Sequence, residues 1–286
     1  MKKAIATRAR TQEILEKFEL SAKKGYGQNF IIEPAIVEKI AEYAQCEDSC
    51  VIEIGPGIGA LTEQLSKRAK KVIAYEIDER LLEVLNDTLS EYDNVEIIHQ
   101  DFLKVDLGKE VQRLQKKFGE VVICANLPYY ITAPLLFKIF EADADIKVIT
   151  VMMQKEVGDR FCAKPSTKEY NALSVLAQDL YQIKTVMKIP KTIFNPKPKV
   201  DSSVVQFISK EGLGYTNQKD FFDFVKACFK QRRKTLYNNL KEYYGDANQA
   251  EKAIVQANLR LSVRAEELEL VSFHHLYDRG GRRNER

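Results

Sequence analysis

The residues Asn126-Leu127-Pro128-Tyr129 follow the apolar run Val121-Val122-Ile123-Cys124-Ala125. A β-branched run that stops at a polar residue and then a proline reads as a buried parallel strand ending in a loop, because proline cannot donate the next ladder hydrogen bond. In open α/β sheets that carboxyl edge is where ligands bind. Asn126 offers a carboxamide oxygen, Leu127 a carbonyl that the following proline holds away from helical geometry, and Tyr129 a flat ring. Together they suit a planar base bearing an exocyclic amine. Taken alone, the same four residues also describe a polar turn with an aromatic packed beneath it.

A second group lies upstream. Gly55-Pro56-Gly57-Ile58-Gly59-Ala60 fits G-x-G-x-x-G/A between a short apolar strand and a helix. Glu76 stands 21 residues beyond Gly55, at the end of the next strand, where a carboxylate can accept both hydrogens of a ribose diol. The spacing implies a nucleoside-type cofactor, NAD or S-adenosylmethionine (SAM), or else a glycine turn without ligand. Asp101, after the third strand, is placed to accept from an adenine amine or to cap the helix that follows. Nothing resembles a hydride-transfer site. These features favour SAM, with Asn126 between cofactor and substrate.

These residues require a βα alternation to position them. Apolar runs at 50–54, 72–77, 95–99, 121–126 and 147–153 read as strands separated by amphipathic helices. Runs at 185–189 and 203–208, either side of Phe194-Asn195-Pro196-Lys197-Pro198-Lys199-Val200-Asp201, read as an antiparallel hairpin closing a mostly parallel, Rossmann-like sheet. After Gly212-Leu213-Gly214 the strand signals cease, and helices are expected at 217–229, 232–243, 247–258 and 264–277. The expected organisation is a basic N-terminal arm (1–24) with one short helix on Ile14, Leu15 and Phe18, an α/β domain (25–210), and a small all-α domain (211–286) with a disordered tail.

Composition narrows the function classes. With 45% hydrophobic and 30% charged residues the 286-residue chain can bury a sizeable core. No apolar run approaches membrane-spanning length, and the first residues lead into a charged segment, so a cytoplasmic protein is expected. Five cysteines without a C-x-x-C pair and three histidines, two of them adjacent, give neither a disulfide framework nor a metal site. Net charge is +4 in residues 1–24, −5 in 25–209 and +4 in 210–286. Such asymmetry suits an anionic partner held by the two ends. The densest cationic stretch, Lys230-Gln231-Arg232-Arg233-Lys234, near a helix start, suits phosphate binding. Lys197 and Lys199, with Arg8, Arg10, Lys23 and Lys24, are secondary candidates.

Gly27-Gln28-Asn29-Phe30, Glu53-Ile54-Gly55-Pro56-Gly57, Glu76-Ile77-Asp78, Gln100-Asp101, Asn126-Leu127-Pro128-Tyr129 and Phe194-x-Pro196-x-Pro198-x-Val200-Asp201-Ser202 occur in this order. In this set the chain resembles the KsgA (RsmA) rRNA adenine dimethyltransferases over nearly its whole length. The resemblance implies a class I SAM-dependent methyltransferase fold and N6,N6-dimethylation of two adjacent adenosines near the 3′ end of 16S rRNA in assembling 30S particles. It also implies a role in small-subunit biogenesis and a monomer acting without metal. It would place Asn29, Ile31, Gly55, Gly57, Glu76, Asp101 and Asn126 at SAM, with Ile31 where leucine is commoner. Asn126, Leu127, Tyr129 and Phe194 would hold the adenine. Erm enzymes, which methylate large-subunit rRNA, share the glycine loop and a similar N-I-P-Y. They usually carry Asn where this chain has Asp201. A ribosome-assembly factor without catalysis is the reading from another class.

Overall fold

The apolar runs 50–54 and 121–125 bury completely, as central strands of a covered parallel sheet do. The structure, a computed structural model, describes residues 3–20, 28–142, 144–210 and 218–280. The expectations on Lys23, Lys24, Gly27, the Gly212–Gly214 linker and the tail from 281 lie outside the described residues.

In chain order the first elements are α1 (Arg8–Lys17), β1 (Phe30–Ile31), α2 (Pro34–Tyr43), β2 (Cys50–Ile54), α3 (Ala60–Ser66), β3 (Lys71–Glu76), α4 (Arg80–Thr88), β4 (Val95–His99), α5 (Leu107–Phe118), β5 (Val121–Asn126), α6 (Thr132–Glu141) and β6 (Val148–Gln154). Then come α7 (Lys155–Phe161), α8 (Ala172–Leu180), β7 (Tyr181–Ile189), β8 (Phe194–Asn195), β9 (Ser202–Ser209), α9 (Gln218–Cys228), α10 (Leu236–Tyr244), α11 (Ala247–Gln256) and α12 (Leu270–Gly280). Strand order in the main sheet is β4-β3-β2-β5-β6-β9-β7. The pairs from β4 to β6 are parallel and β9 runs antiparallel to β6. The mostly parallel sheet with β9 and β7 at its far edge is as expected.

Two compact units result: residues 1–158 with 184–209, and residues 159–183 with 210–286. This differs from a single boundary at 210, because α8 clusters with the C-terminal helices. The N-terminal segment also differs from a free arm. Ile5, Ala6 and Ile14 join the first unit's core, and the Ile5 amide donates to Glu63 at 3.2 Å.

The second unit is held by aromatic packing, with Phe221, Phe222, Phe224 and Phe273 fully buried and Phe229 stacked on Phe273 at 5.7 Å. Its α10 starts at Leu236, four residues later than expected, because Thr235 is the N-cap and accepts from the Asn238 amide. The stretch 230–234 is therefore a turn.

A further ladder was not expected. β1 pairs antiparallel with β8, Phe30 opposite Asn195 and Ile31 opposite Phe194, and the Ile32 amide donates to the Ile193 carbonyl at 2.9 Å. The segment entering α2 is thereby tied to the proline-rich loop.

Gly59 caps α3 with φ +91°, and a Cβ there would sit 3.2 Å from Leu89 Cδ2 and Thr88 Oγ1. Both the backbone angle and the contact oppose a side chain. Gly59→Ala should destabilise the protein by about 1–3 kcal/mol, read as a lower urea midpoint with an unchanged m-value.

Candidate active site

Each site residue sits where a strand runs out. Glu76 ends β3 and Asn126 ends β5, Gly55 follows β2, and Asp101 lies two residues past β4. Because these four strands are parallel and adjacent, their ends share one sheet edge. There a cleft with about 1050 Å³ of empty space, open solvent included, is lined by Asn29, Ile31, Gly55, Gly57, Glu76, Asp101, Asn126, Leu127 and Tyr129. Thus all the expected cofactor residues, and three of the four expected at the base, converge.

The fourth, Phe194, does not line the cleft. Its ring is 3% exposed and packs in the first unit's core. The sequence leaves Phe194 as either a second face for the base or a hydrophobic plug in the proline-rich loop, and its burial in the core, within the β1–β8 ladder, is that of the plug.

The catalytic-loop groups are individually held. Asn126 Nδ2 donates to the Asn29 carbonyl at 3.5 Å, a long bond, and its Oδ1 takes no hydrogen bond from the described residues. The Leu127 amide donates to the Met152 carbonyl at 3.0 Å, while its own carbonyl accepts none among the described residues. The Tyr129 hydroxyl and Ser202 Oγ lie 2.6 Å apart, which pins the ring, and burial raises the phenol's pKa.

The cofactor end is acidic. Glu76 Oε1 accepts from the amides of Ile77 and Asp78 at 2.8 Å each, and Oε2 from Gly57 at 3.3 Å. Burial nevertheless raises its pKa, against those three bonds. Asp101 Oδ1 accepts from the Leu103 amide at 2.9 Å and caps the following 3-10 turn, while the side chain also borders the cleft. The capping bond expected of Asp101 is present, and the residue also stands at the cleft.

Sequence reasoning did not single out Glu53 as a site residue. It lines the cleft at 1% exposure, and its Oε2 and the nearby Thr62 Oγ1 are buried without a hydrogen-bond partner. Burial pushes its carboxyl up to about 8. The signal was its place in an apolar strand, where a carboxyl has no structural reason to be.

The cleft fits a cationic nucleoside. Among the described residues its lining holds three carboxyl groups and no Lys, Arg or His. Those carboxyls suit a positively charged sulfonium and ammonium. Among the described residues no group of three or more His, Cys, Asp or Glu could hold a metal, and no helix is long and apolar enough to cross a membrane.

The expected RNA-contact residues fall in two places. Lys197 and Lys199 are exposed on the proline-rich loop of the first unit. In the second unit Lys230 is paired with Glu242, and Arg232 with Glu266 at 2.7 Å. Arg233 and Lys234 are exposed and have no side-chain partner among the described residues.

This strand order with its edge cleft is the class I methyltransferase fold. A dimethyladenosine transferase from Plasmodium falciparum shares it with TM-score 0.71 and 28% identity, over 86% of this chain and 95% of that one. The 23S rRNA methyltransferase ErmE shares it with TM-score 0.65 and 26% identity, over 88% and 99%. A family model described as ribosomal RNA adenine dimethylase matches residues 19–279. Proteins called Ribosomal RNA small subunit methyltransferase A are 50% identical in Bacillus pumilus (96% of this chain, 97% of that one) and 45% identical in Enterococcus faecalis (96% and 95%). The chain belongs to the ribosomal RNA adenine dimethylase family.

Glu53 gives a testable pH dependence. Unfolded, its carboxyl titrates near the ordinary glutamate value of 4.5; folded, near 8. Its contribution is therefore fully present below about 4.5 and is lost as pH rises towards 8, where the unfolded chain has released a proton that the folded one holds. Relative to the native protein, Glu53→Gln should gain melting temperature steadily from pH 5 to pH 8, checked by thermal unfolding across that range.

Proposed function

We propose that this chain transfers methyl groups from SAM to N6 of two adjacent adenosines near the 3′ end of 16S rRNA, on assembling 30S particles in the cytoplasm, as a monomer. The observation that carries the reading is the pair of open acceptors, Asn126 Oδ1 and the Leu127 carbonyl, beside an acidic nucleoside cleft. Relatives named for the small subunit, at up to 50% identity, favour that substrate over the large-subunit one.

Bound in the cleft, SAM would supply an electrophilic methyl carbon, needing no further activation, on a sulfonium that leaves as a neutral thioether when its carbon–sulfur bond breaks. Glu76 would take the ribose hydroxyls, Asp101 the adenine amine, and Asn29, Ile31, Gly55 and Gly57 would complete the walls. The target N6 lone pair is delocalised into the ring and is a weak nucleophile. When Asn126 Oδ1 and the Leu127 carbonyl accept its two hydrogens, the nitrogen pyramidalises and its lone pair is freed for in-line attack. Alignment of this kind is worth ~7 kcal/mol or more of barrier. The amine's proton leaves after bond formation, so no strong base is required. Tyr129, oriented by Ser202, stacks on the extruded base; such stacking contributes ~1–3 kcal/mol and offsets unstacking. Lys197, Lys199, Lys230, Arg232, Arg233 and Lys234 supply phosphate contacts, the last two without giving up an internal carboxylate.

The deciding experiment offers labelled SAM with unmethylated 30S particles, 50S particles and naked 16S rRNA. Label recovered as N6,N6-dimethyladenosine from 30S alone is expected; label in 50S would move the chain to the Erm reaction, and none despite binding would leave an assembly factor. Asn126→Ala should lower turnover at least about a hundredfold while SAM binding stays measurable. Replacing Arg233 and Lys234 by alanine should weaken 30S binding and reduce the slope of log affinity against log salt by about 1–2.

A further inference from the structure

The cleft's ribose wall and its catalytic amide are joined by a short chain of contacts. Asp78, just past β3, is buried and does not line the cleft. Its Oδ2 accepts from Gln28 Nε2 at 2.9 Å and from Arg80 Nη2 at 2.7 Å, and its Oδ1 accepts from Arg80 Nε at 3.0 Å. The same residue's amide donates to Glu76. Gln28 begins the segment that runs through Asn29 into β1, whose far end is fixed by pairing with β8. Between these two anchors lies the Asn29 carbonyl, the acceptor for Asn126 Nδ2.

That carbonyl decides which way the Asn126 amide faces. A carboxamide has a donor end and an acceptor end of nearly equal shape. Turning it over would set Oδ1 against the Asn29 carbonyl and aim the NH2 group at the target amine. Both contacts would be repulsive, and the second would remove the acceptor that the reaction uses. A 3.5 Å bond holds this orientation only weakly, so a small drift of Asn29 suffices to release it.

We propose that Asp78 is a positioning residue for methyl transfer: by holding Gln28 it keeps the Asn29 carbonyl against Asn126 Nδ2 and so fixes the acceptor face of the catalytic carboxamide towards the substrate. This rests on Asn126 accepting from the target amine. The role is that of the Gln28 bond; Arg80 pairs with the same carboxylate through Nη2 and Nε. Hydrogen bonding to Arg80 is also the main reason the Asp78 pKa is lowered, so the carboxylate stays charged and an acceptor throughout the neutral range.

The test compares Asp78→Ala, Asp78→Asn, Gln28→Met and Arg80→Met with the native protein by single-turnover methylation of unmethylated 30S, SAM affinity by calorimetry, and the Asn126 side-chain amide NMR signal in the free protein, assigned by its loss in Asn126→Ala. Asp78→Ala and Gln28→Met should each lower the methylation rate about ten- to a hundredfold and shift the amide signal. Asp78→Ala should weaken SAM affinity less than it lowers the single-turnover rate at saturating SAM, because Asn29 also stands in the cofactor wall. Asp78→Asn keeps an acceptor for Gln28 and should recover most of the rate and the native signal; Arg80→Met should stay within about threefold of native. Equal losses in Asp78→Ala, Asp78→Asn and Arg80→Met would show a structural ion pair and overturn the proposal. An unmoved amide signal in folded Asp78→Ala and Gln28→Met would do the same. Should Asp78→Ala not fold, Gln28→Met against Asp78→Asn decides by the same criteria. Turnover retained in Asn126→Ala would defeat the catalytic reading itself, whereas an inactive Asn126→Ala with a native-like Asp78→Ala defeats only the positioning role.

Discussion

The constraint on which this structure depends is the in-phase parallel ladder of β4, β3, β2 and β5. Cys50 lies opposite both Lys71 and Val121, and Glu76 opposite His99, so neighbouring strands run out at nearly the same level. Parallel strands with covered faces are apolar within, Glu53 of β2 excepted, and turn polar mainly where they end. Chemistry is thereby confined to one edge, where Gly55, Glu76, Asp101 and Asn126 meet despite spanning more than seventy positions of sequence. A residue's slip in one strand would carry its terminal side chain to the wrong face. The register is therefore part of the site.

For the same reason much of the site was legible before the fold was seen. Each strand announces its end by a change from β-branched to polar residues, and the active groups stand at those changes. The β1–β8 ladder gives no such signal. Two-residue strands have no periodicity, their pairing is between backbones, and their partners are more than 160 residues apart. Phe194 could not be resolved for that reason: beside prolines, an aromatic reads equally as platform or plug, and only the pairing with Ile31 turns it inward. Charge is similarly ambiguous. Lys230 and Arg232 look like their neighbours Arg233 and Lys234 in sequence, but Glu242 and Glu266 occupy the first two.

The boundary between units was the least readable feature. Leu173, Val175, Leu176 and Ala177 give α8 the broad apolar character of any helix covering a parallel sheet. Nothing local shows that it clusters with the C-terminal helices. The tie is made by distant groups: the Tyr170 hydroxyl donates to the Leu268 carbonyl at 2.9 Å, and His274 Nε2 lies 2.8 Å from Asp179. A chain that leaves one unit at 158 and returns at 184 defeats any division drawn from composition along the sequence.

The distribution of charge across the cleft matches the two demands of methyl transfer to an amine. The cofactor end presents carboxyls, suited to a positively charged donor whose charge is lost on reaction. The substrate end presents neutral acceptors, a carboxamide and a peptide carbonyl, which draw on the amine's hydrogens without competing for its proton. A carboxylate at position 126 would add a fourth acid to a wall where burial already raises the pKa of Glu53 and Glu76. It would then either be protonated, turning an O–H donor towards the amine, or keep the proton that must leave for a second methylation. A neutral carboxamide avoids both outcomes. Its weakness is that it can face the wrong way, and under the proposed positioning role the segment from Gln28 to Ile31 would belong to the active centre as much as the loop that carries Asn126.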